Sequence, residues 1–161
     1  GIIHGLRAAG PRMLAGGDEG HVVNTSSAAG FVAAPFSGPY NVSKVAAFSM
    51  SETLAHDLAA VGASVGASVL CPSSIRTGIA HTDRVRPGGP SDEGADAAAI
   101  RESLFQITET GIDPAEVPPI VLAGIAAGDF LIATKPSYAN QIQTRFDALL
   151  DRRLPPTPAV D

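Results

Sequence analysis

Three short apolar runs, separated by helical stretches, constrain this chain more than any other feature. They are HVVNTS at residues 21–26, SVGASVLC at 64–71 and FLIAT at 130–134. Runs of this length, rich in β-formers and bounded by Gly, Pro or Ser, read as buried strands. Strands that alternate with helices return by crossover connections and lie parallel to one another. The chain is therefore predicted to be α/β, with helices on the faces of a parallel sheet.

The helices follow from periodicity and punctuation. Residues 1–15 form a first helical pattern with Pro11 as a possible kink, closed by Gly16 and Gly17. No Ser, Thr or Asp precedes it as an N-cap and Gly1 is not an initiator residue, so the chain is expected to be cut from something longer. Residues 39–60 give the strongest pattern: Ala47, Met50, Leu54, Leu58 and Val61 form one apolar stripe, with Gly62 at the C′ position. Residues 78–94, rich in Gly, Pro and charge, are expected to be a mobile loop before a helix at about 95–110. Asp113, Pro114 and Glu116 resemble an N-cap, an N1 proline and a capping-box acid. Pro118 and Pro119 then interrupt the helix that they start. A last amphipathic helix spans 137–153 on Tyr138, Ile142, Phe146, Leu149 and Leu150. Residues 1–153 thus read as part of one domain, and 154–161, LPPTPAVD, as a disordered tail.

Composition excludes several function classes. With 161 residues, 45% of them hydrophobic and 17% charged, the chain can bury a substantial core. A net charge of −5 without any basic run argues against nucleic acid or an anionic membrane as partner. No apolar stretch reaches bilayer-spanning length. Cys71 is the one cysteine, which excludes an internal disulfide and fits a reducing cytoplasm, the expected location. His4, His21, His56 and His81 are scattered without ligand spacing, so no metal site is expected, and Cys71 reads as a buried strand residue.

The candidate chemistry lies after the strands. Tyr40 and Lys44, in YNVSK, are four apart and share one helical face. An ammonium beside a phenol favours the phenolate, which would let Tyr40 give a proton to a carbonyl or take one from an alcohol. Ser27 ends the run HVVNTSS thirteen residues before Tyr40, where ligands meet an open parallel sheet. Its hydroxyl would bond a substrate oxygen, or simply cap the turn, a role open to Ser26 as well. CPSSIRT, residues 71–77, breaks the second strand at Pro72 and presents Ser73, Ser74 and Thr77.

GHVVNTSSAAG, YNVSK and VLCPSSIRT, in this order and spacing, resemble the second half of a short-chain dehydrogenase/reductase, and the similarity runs over nearly the whole chain. The resemblance implies the second half of a Rossmann-like, doubly wound parallel sheet and hydride transfer between a nicotinamide and an alcohol or ketone. It makes Tyr40 the general acid/base and gives Lys44 two roles, lowering the Tyr40 pKa and binding the nicotinamide ribose. Ser27 becomes the residue that orients the substrate oxygen. Pro72, Ser73, Ile75 (through its backbone) and Thr77 (through its hydroxyl) would hold the nicotinamide end. Ser73 stands where the family usually has glycine, and its Cβ is expected to restrict the backbone there.

No TGxxxGxG-type loop occurs in the sequence, and GGDEG does not replace it, because a helix and not a strand precedes it. The expectation is therefore an inactive or poorly folded chain by itself and an active, homo-oligomeric parent. NAD and NADP are not distinguished, since the deciding residues belong to the other half of the fold. The substrate is expected to be a small apolar alcohol or ketone; Ile79, Ile100, Leu104, Phe105 and Ile107 would line its pocket or equally pack a core. The alternative is a truncated, non-catalytic fragment or self-association module. A serine hydrolase ranks third, because NTSSAAG lacks the G-x-S-x-G elbow.

Overall fold

The structure, a computed structural model, describes residues 1–81, 87 and 94–158. Its order is α1 (Ile2–Gly16), β1 (Gly20–Thr25), α2 (Gly38–Ala60), β2 (Val65–Cys71), α3 (Ala95–Glu109), α4 (Val117–Ala127), β3 (Leu131–Ala133) and α5 (Tyr138–Leu150). Short 3-10 turns stand at Ala28–Gly30, Gly78–Ala80 and Pro114–Glu116. The three strands form one parallel sheet in the order β1-β2-β3, as their alternation with helices predicts.

The central strand β2 carries the core. Val69 is fully buried and Cys71 nearly so, and they cluster with Phe31. Phe48 of α2, Phe130 before β3, and Tyr138 and Ile142 of α5 pack around that cluster. Full burial of one such side chain contributes roughly 1.5–3 kcal/mol. Also on β2, the Ser68 hydroxyl donates to the Asp129 carbonyl ahead of β3 at 2.6 Å and lies 2.7 Å from His21 Nε2 of β1. Ser68 has only one hydrogen to give, so His21 Nε2 carries the hydrogen of the second bond.

Several boundaries and faces differ from the sequence reading. Pro11 lies inside a continuous α1. The inner face of α2 is Ala47, Ser51 and Leu58, whereas Met50 is 37% and Val61 71% exposed. The reason is polar pairing: Asn24 Nδ2 donates to Ser51 Oγ at 3.1 Å, and Ser51 donates to the Ala47 carbonyl at 2.7 Å. A buried serine thus takes a place that an apolar pattern gives to methionine. Asp113 and Glu116 do form a capping box, over the 3-10 turn Pro114–Glu116. Pro118 and Pro119 do not interrupt the following helix. They stand in the first turn of α4, where backbone N–H groups have no partner within the helix to lose. α1 and α4 close on left-handed Gly17 (φ 72) and Gly128 (φ 74).

Of the expected mobile loop, residues 82–86 and 88–93 lie outside the described residues. So do 159–161 of the expected tail, whose residues 154–158 carry no regular secondary structure. No helix among the described residues is long and apolar enough to cross a membrane.

Candidate active site

The segments that carry Ser27, Tyr40 with Lys44, and Pro72–Thr77 are tied together at the C-terminal end of the sheet. Three hydrogen bonds stitch that end together. The Ser26 N–H donates to the Leu70 carbonyl at 2.8 Å, the Ala28 N–H to the Pro72 carbonyl at 2.9 Å, and the Ser73 N–H to Thr134 Oγ1 at 3.0 Å. The loops after all three strands are thereby fixed to one another, in the place where open parallel sheets present ligands.

The two serines after β1 have different duties. Ser26 is buried and donates its hydroxyl hydrogen to the Lys44 carbonyl at 2.7 Å, tying the strand end to α2. Ser27 is half-buried and caps the turn Ala28–Gly30 by accepting from the Ala29 N–H at 3.2 Å. Capping uses a lone pair and leaves the Ser27 hydroxyl hydrogen uncommitted by that bond. Gly30 permits this tight packing. A Cβ there would come within 2.5 Å of Ser26 Oγ and 3.3 Å of the Lys44 carbonyl oxygen.

Tyr40 stands in the first turn of α2 and is 42% exposed. Lys44, one turn on, holds its Nζ 5.5 Å from the centre of the Tyr40 ring, within cation–π reach. Asn41 was not singled out by the sequence, yet it ties the start of α2 to the loop after Ser27. Its Nδ2 donates to the Ala29 carbonyl at 3.2 Å and to the Val32 carbonyl at 2.8 Å. Its Oδ1 is buried without a hydrogen-bond partner. The only local signal is a short polar side chain beside Tyr40, pointing back at a loop that needs donors.

The segment after β2 is extended. Ser73 does not occupy the left-handed region, since Phe36 and Arg152 are the non-glycine residues with positive φ among those described. Its backbone conformation is therefore one that does not call for glycine. Thr77 is exposed and caps the turn Gly78–Ala80 without a side-chain bond. Ile75 forms a parallel bridge with Ile112. Beyond it, the Arg76 guanidinium pairs with the Asp113 carboxylate. The Asp113 carboxyl is held below its ordinary range by the Ala115 N–H first and by Arg76 after it. Sequence reasoning did not find the Ile112 contact, because nothing local marks it.

Beneath the site lies the Cys71 thiol, pushed up to about 11 by burial, against the opposing pull of the Ser27 N–H, the Ser26 hydroxyl and the Lys44 charge. The thiol is the reactive form's precursor and not the nucleophile itself. Iodoacetamide at pH 8 should therefore label the folded chain far more slowly than the urea-unfolded chain; equal rates would contradict this burial. The sign for stability follows from the same shift. Between an unfolded value near 9.0 and a folded value of about 11, only the unfolded chain gives up the proton, so this thiol lowers stability as pH rises through that window.

Elsewhere, a cleft of about 210 Å³ lies between α5, Val32–Ala33 and residues 154–158, lined in part by Thr144, Arg145 and Pro155. Ser27, Tyr40 and Lys44 do not line it. Among the described residues, no three His, Cys, Asp or Glu side chains gather in a way that could hold a metal ion.

Residues 1–87 match the family model described as short chain dehydrogenase. A C alpha-dehydrogenase from Sphingobium sp. (strain NBRC 103272 / SYK-6) is 31% identical over 157 residues, which cover 96% of this chain and 50% of that protein. A short-chain dehydrogenase/reductase from Burkholderia phymatum, solved in complex with NAD, is 34% identical with a TM-score of 0.92; the match covers 98% of this chain and 58% of that one. A short-chain dehydrogenase structure from Novosphingobium aromaticivorans is 26% identical with a TM-score of 0.68, over 98% of this chain and 48% of that one. The chain spans about half the length of these relatives.

Proposed function

Because this chain belongs to the short-chain dehydrogenase/reductase family, we propose that it is the catalytic half of an NAD(P)-dependent oxidoreductase acting on an apolar alcohol or ketone. The observation that supports this reading is that the loop after Ser27 is bonded to Pro72, while Lys44, over the Tyr40 ring, is tied through its carbonyl to Ser26. Residues 1–153 read as part of one catalytic domain.

The side chains suit a nicotinamide. The Ile75 N–H and carbonyl have no partner among the described residues, and neither does the Thr77 hydroxyl. With Lys44, Pro72 and Ser73 they would hold the nicotinamide end. Bound NAD or NADP supplies the hydride donor or acceptor. Ser27 donates its free hydrogen to the substrate oxygen and holds it in place. Tyr40 gives its phenolic proton to that oxygen in reduction and takes a proton from the alcohol in oxidation. The Lys44 ammonium, over the Tyr40 ring, would bind the nicotinamide ribose. Ile79, Ile100 and Leu104 are 49%, 40% and 41% exposed, which supports an apolar substrate surface more than a core.

The chain contains no glycine-rich phosphate loop, and on this reading turnover requires one from a continuous N-terminal half. The test joins the N-terminal half of the Burkholderia phymatum relative to Gly1 and measures nicotinamide-dependent oxidation of a panel of apolar alcohols. Turnover by the joined protein, and none by the 161-residue chain, is the expected result. A joined protein that folds, binds NAD and turns over no alcohol or ketone would sink the reading. Self-association without catalysis would then remain, in keeping with the exposed Val42 (71%) and Val45 (49%) on α2.

A further inference from the structure

We propose that Gly111 and Ile112 are positioning residues for the cofactor: they hold the Ser74–Arg76 backbone so that the Ile75 peptide turns toward a carboxamide. This rests on the nicotinamide reading above and adds to it a pair of residues far from the family's motifs.

The argument begins with bond direction. In a parallel bridge, one residue bonds to the two neighbours of the residue opposite it. Here the Ile112 N–H donates to the Ser74 carbonyl at 3.1 Å, and the Arg76 N–H donates to the Ile112 carbonyl at 3.0 Å. Ser74 and Arg76 therefore face Ile112, and the Ile75 N–H and carbonyl face the opposite way. Neither has a partner among the described residues, and Ile75 is half-buried. A half-buried peptide group left unpaired is costly, so a ligand that pairs it is favoured. One donor and one acceptor side by side complement a primary carboxamide, which offers one carbonyl oxygen and an NH₂.

Gly111 makes the approach possible. It is buried, and a Cβ on it would lie 2.7 Å from the carbonyl carbons of Ser74 and Ile75 and 2.8 Å from the Arg76 nitrogen. All three are backbone atoms, which cannot swing aside as a side-chain end can. Its φ is not positive, so the requirement is for space and not for a left-handed conformation. Any larger residue must push the bridge apart and turn Ile75. Gly111 and Ile112 come just after the end of α3, so the segment that would hold the nicotinamide and the helix bearing Ile100 and Leu104 share one anchor.

The test is ¹⁵N NMR of the joined protein titrated with nicotinamide mononucleotide, which carries the nicotinamide ribose without the adenine half. In the wild-type chain the Ile75 amide should exchange with solvent faster than those of Arg76 and Ile112, and the probe should slow it. In Gly111→Ala the apparent affinity should fall at least about tenfold, with Tyr40 and Lys44 keeping their native resonances. Unchanged affinity in Gly111→Ala overturns the inference. So does an Ile75 amide that is already protected without the probe, a measurement that stands even where Gly111→Ala fails to fold. If Tyr40, Lys44 and Ile75 all ignore the probe, the nicotinamide reading itself fails and this inference falls with it.

Discussion

Tyr40→Phe is expected to lower kcat of the joined protein about 10²- to 10⁴-fold, with cofactor affinity little changed. That range corresponds to about 3–5 kcal/mol of barrier, the order of a lost general acid. The substitution removes one oxygen from a side chain that is 42% exposed in the first turn of α2, so neither core packing nor the helix is disturbed. The ring stays beneath the Lys44 ammonium, because the cation–π contact needs the face and not the hydroxyl. Ser27 would still orient the substrate oxygen, leaving a proton to come from water. Steady-state turnover followed by nicotinamide absorbance, with calorimetric cofactor binding alongside, checks both halves of the expectation. A loss below tenfold would remove Tyr40 from the role of acid/base.

The second large effect concerns stability. Asn41→Asp keeps the shape of the side chain and replaces its two-hydrogen donor by an oxygen. That oxygen would face the Ala29 and Val32 carbonyls, where Nδ2 now donates at 3.2 and 2.8 Å. Its other oxygen would occupy the place of Oδ1, which is buried and unpartnered. A carboxylate so placed has two carbonyl oxygens against one of its oxygens and no donor for the other, and the expected cost is about 3 kcal/mol or more. The group escapes part of that cost by taking up a proton, so its folded pKa lies above its unfolded value. The deficit should therefore be smaller at pH 5 than at pH 8. Urea unfolding of both proteins at the two pH values measures it. A deficit below about 1 kcal/mol, or one indifferent to pH, would mean that Asn41 does not clamp the loop.

These two residues also mark how far the sequence could be read. Tyr40 declares itself by its spacing to Lys44, since four residues on a helix is a local relation. The strands, the helices and the capping box at Asp113 are local in the same sense. Asn41 acts across a loop, and its neighbours in sequence do not indicate which carbonyls it meets. Gly111 is more remote still: its requirement comes from the backbone of residues 74–76, which no periodicity brings near it. Ser51 misleads for a related reason, because an apolar-stripe count cannot anticipate a buried serine bonded to Asn24. Pro118 and Pro119 look disruptive only until the start of α4 is known to lie at Val117.

The parallel sheet has a consequence for when the site can exist during folding. Its pairings join Gly20 to Val65 and Val69 to Leu131, so each ladder must wait for a long crossover to close. Helices α2 and α5 can begin to form early, because their bonds are local, but they cannot align the strand ends. The loop after Ser27 is joined to Pro72 by a strand-end bond that the finished ladders bring into reach. The proposed site is thus expected late in folding, after the slow non-local steps. A partly folded chain would show helical content long before it had a place to bind.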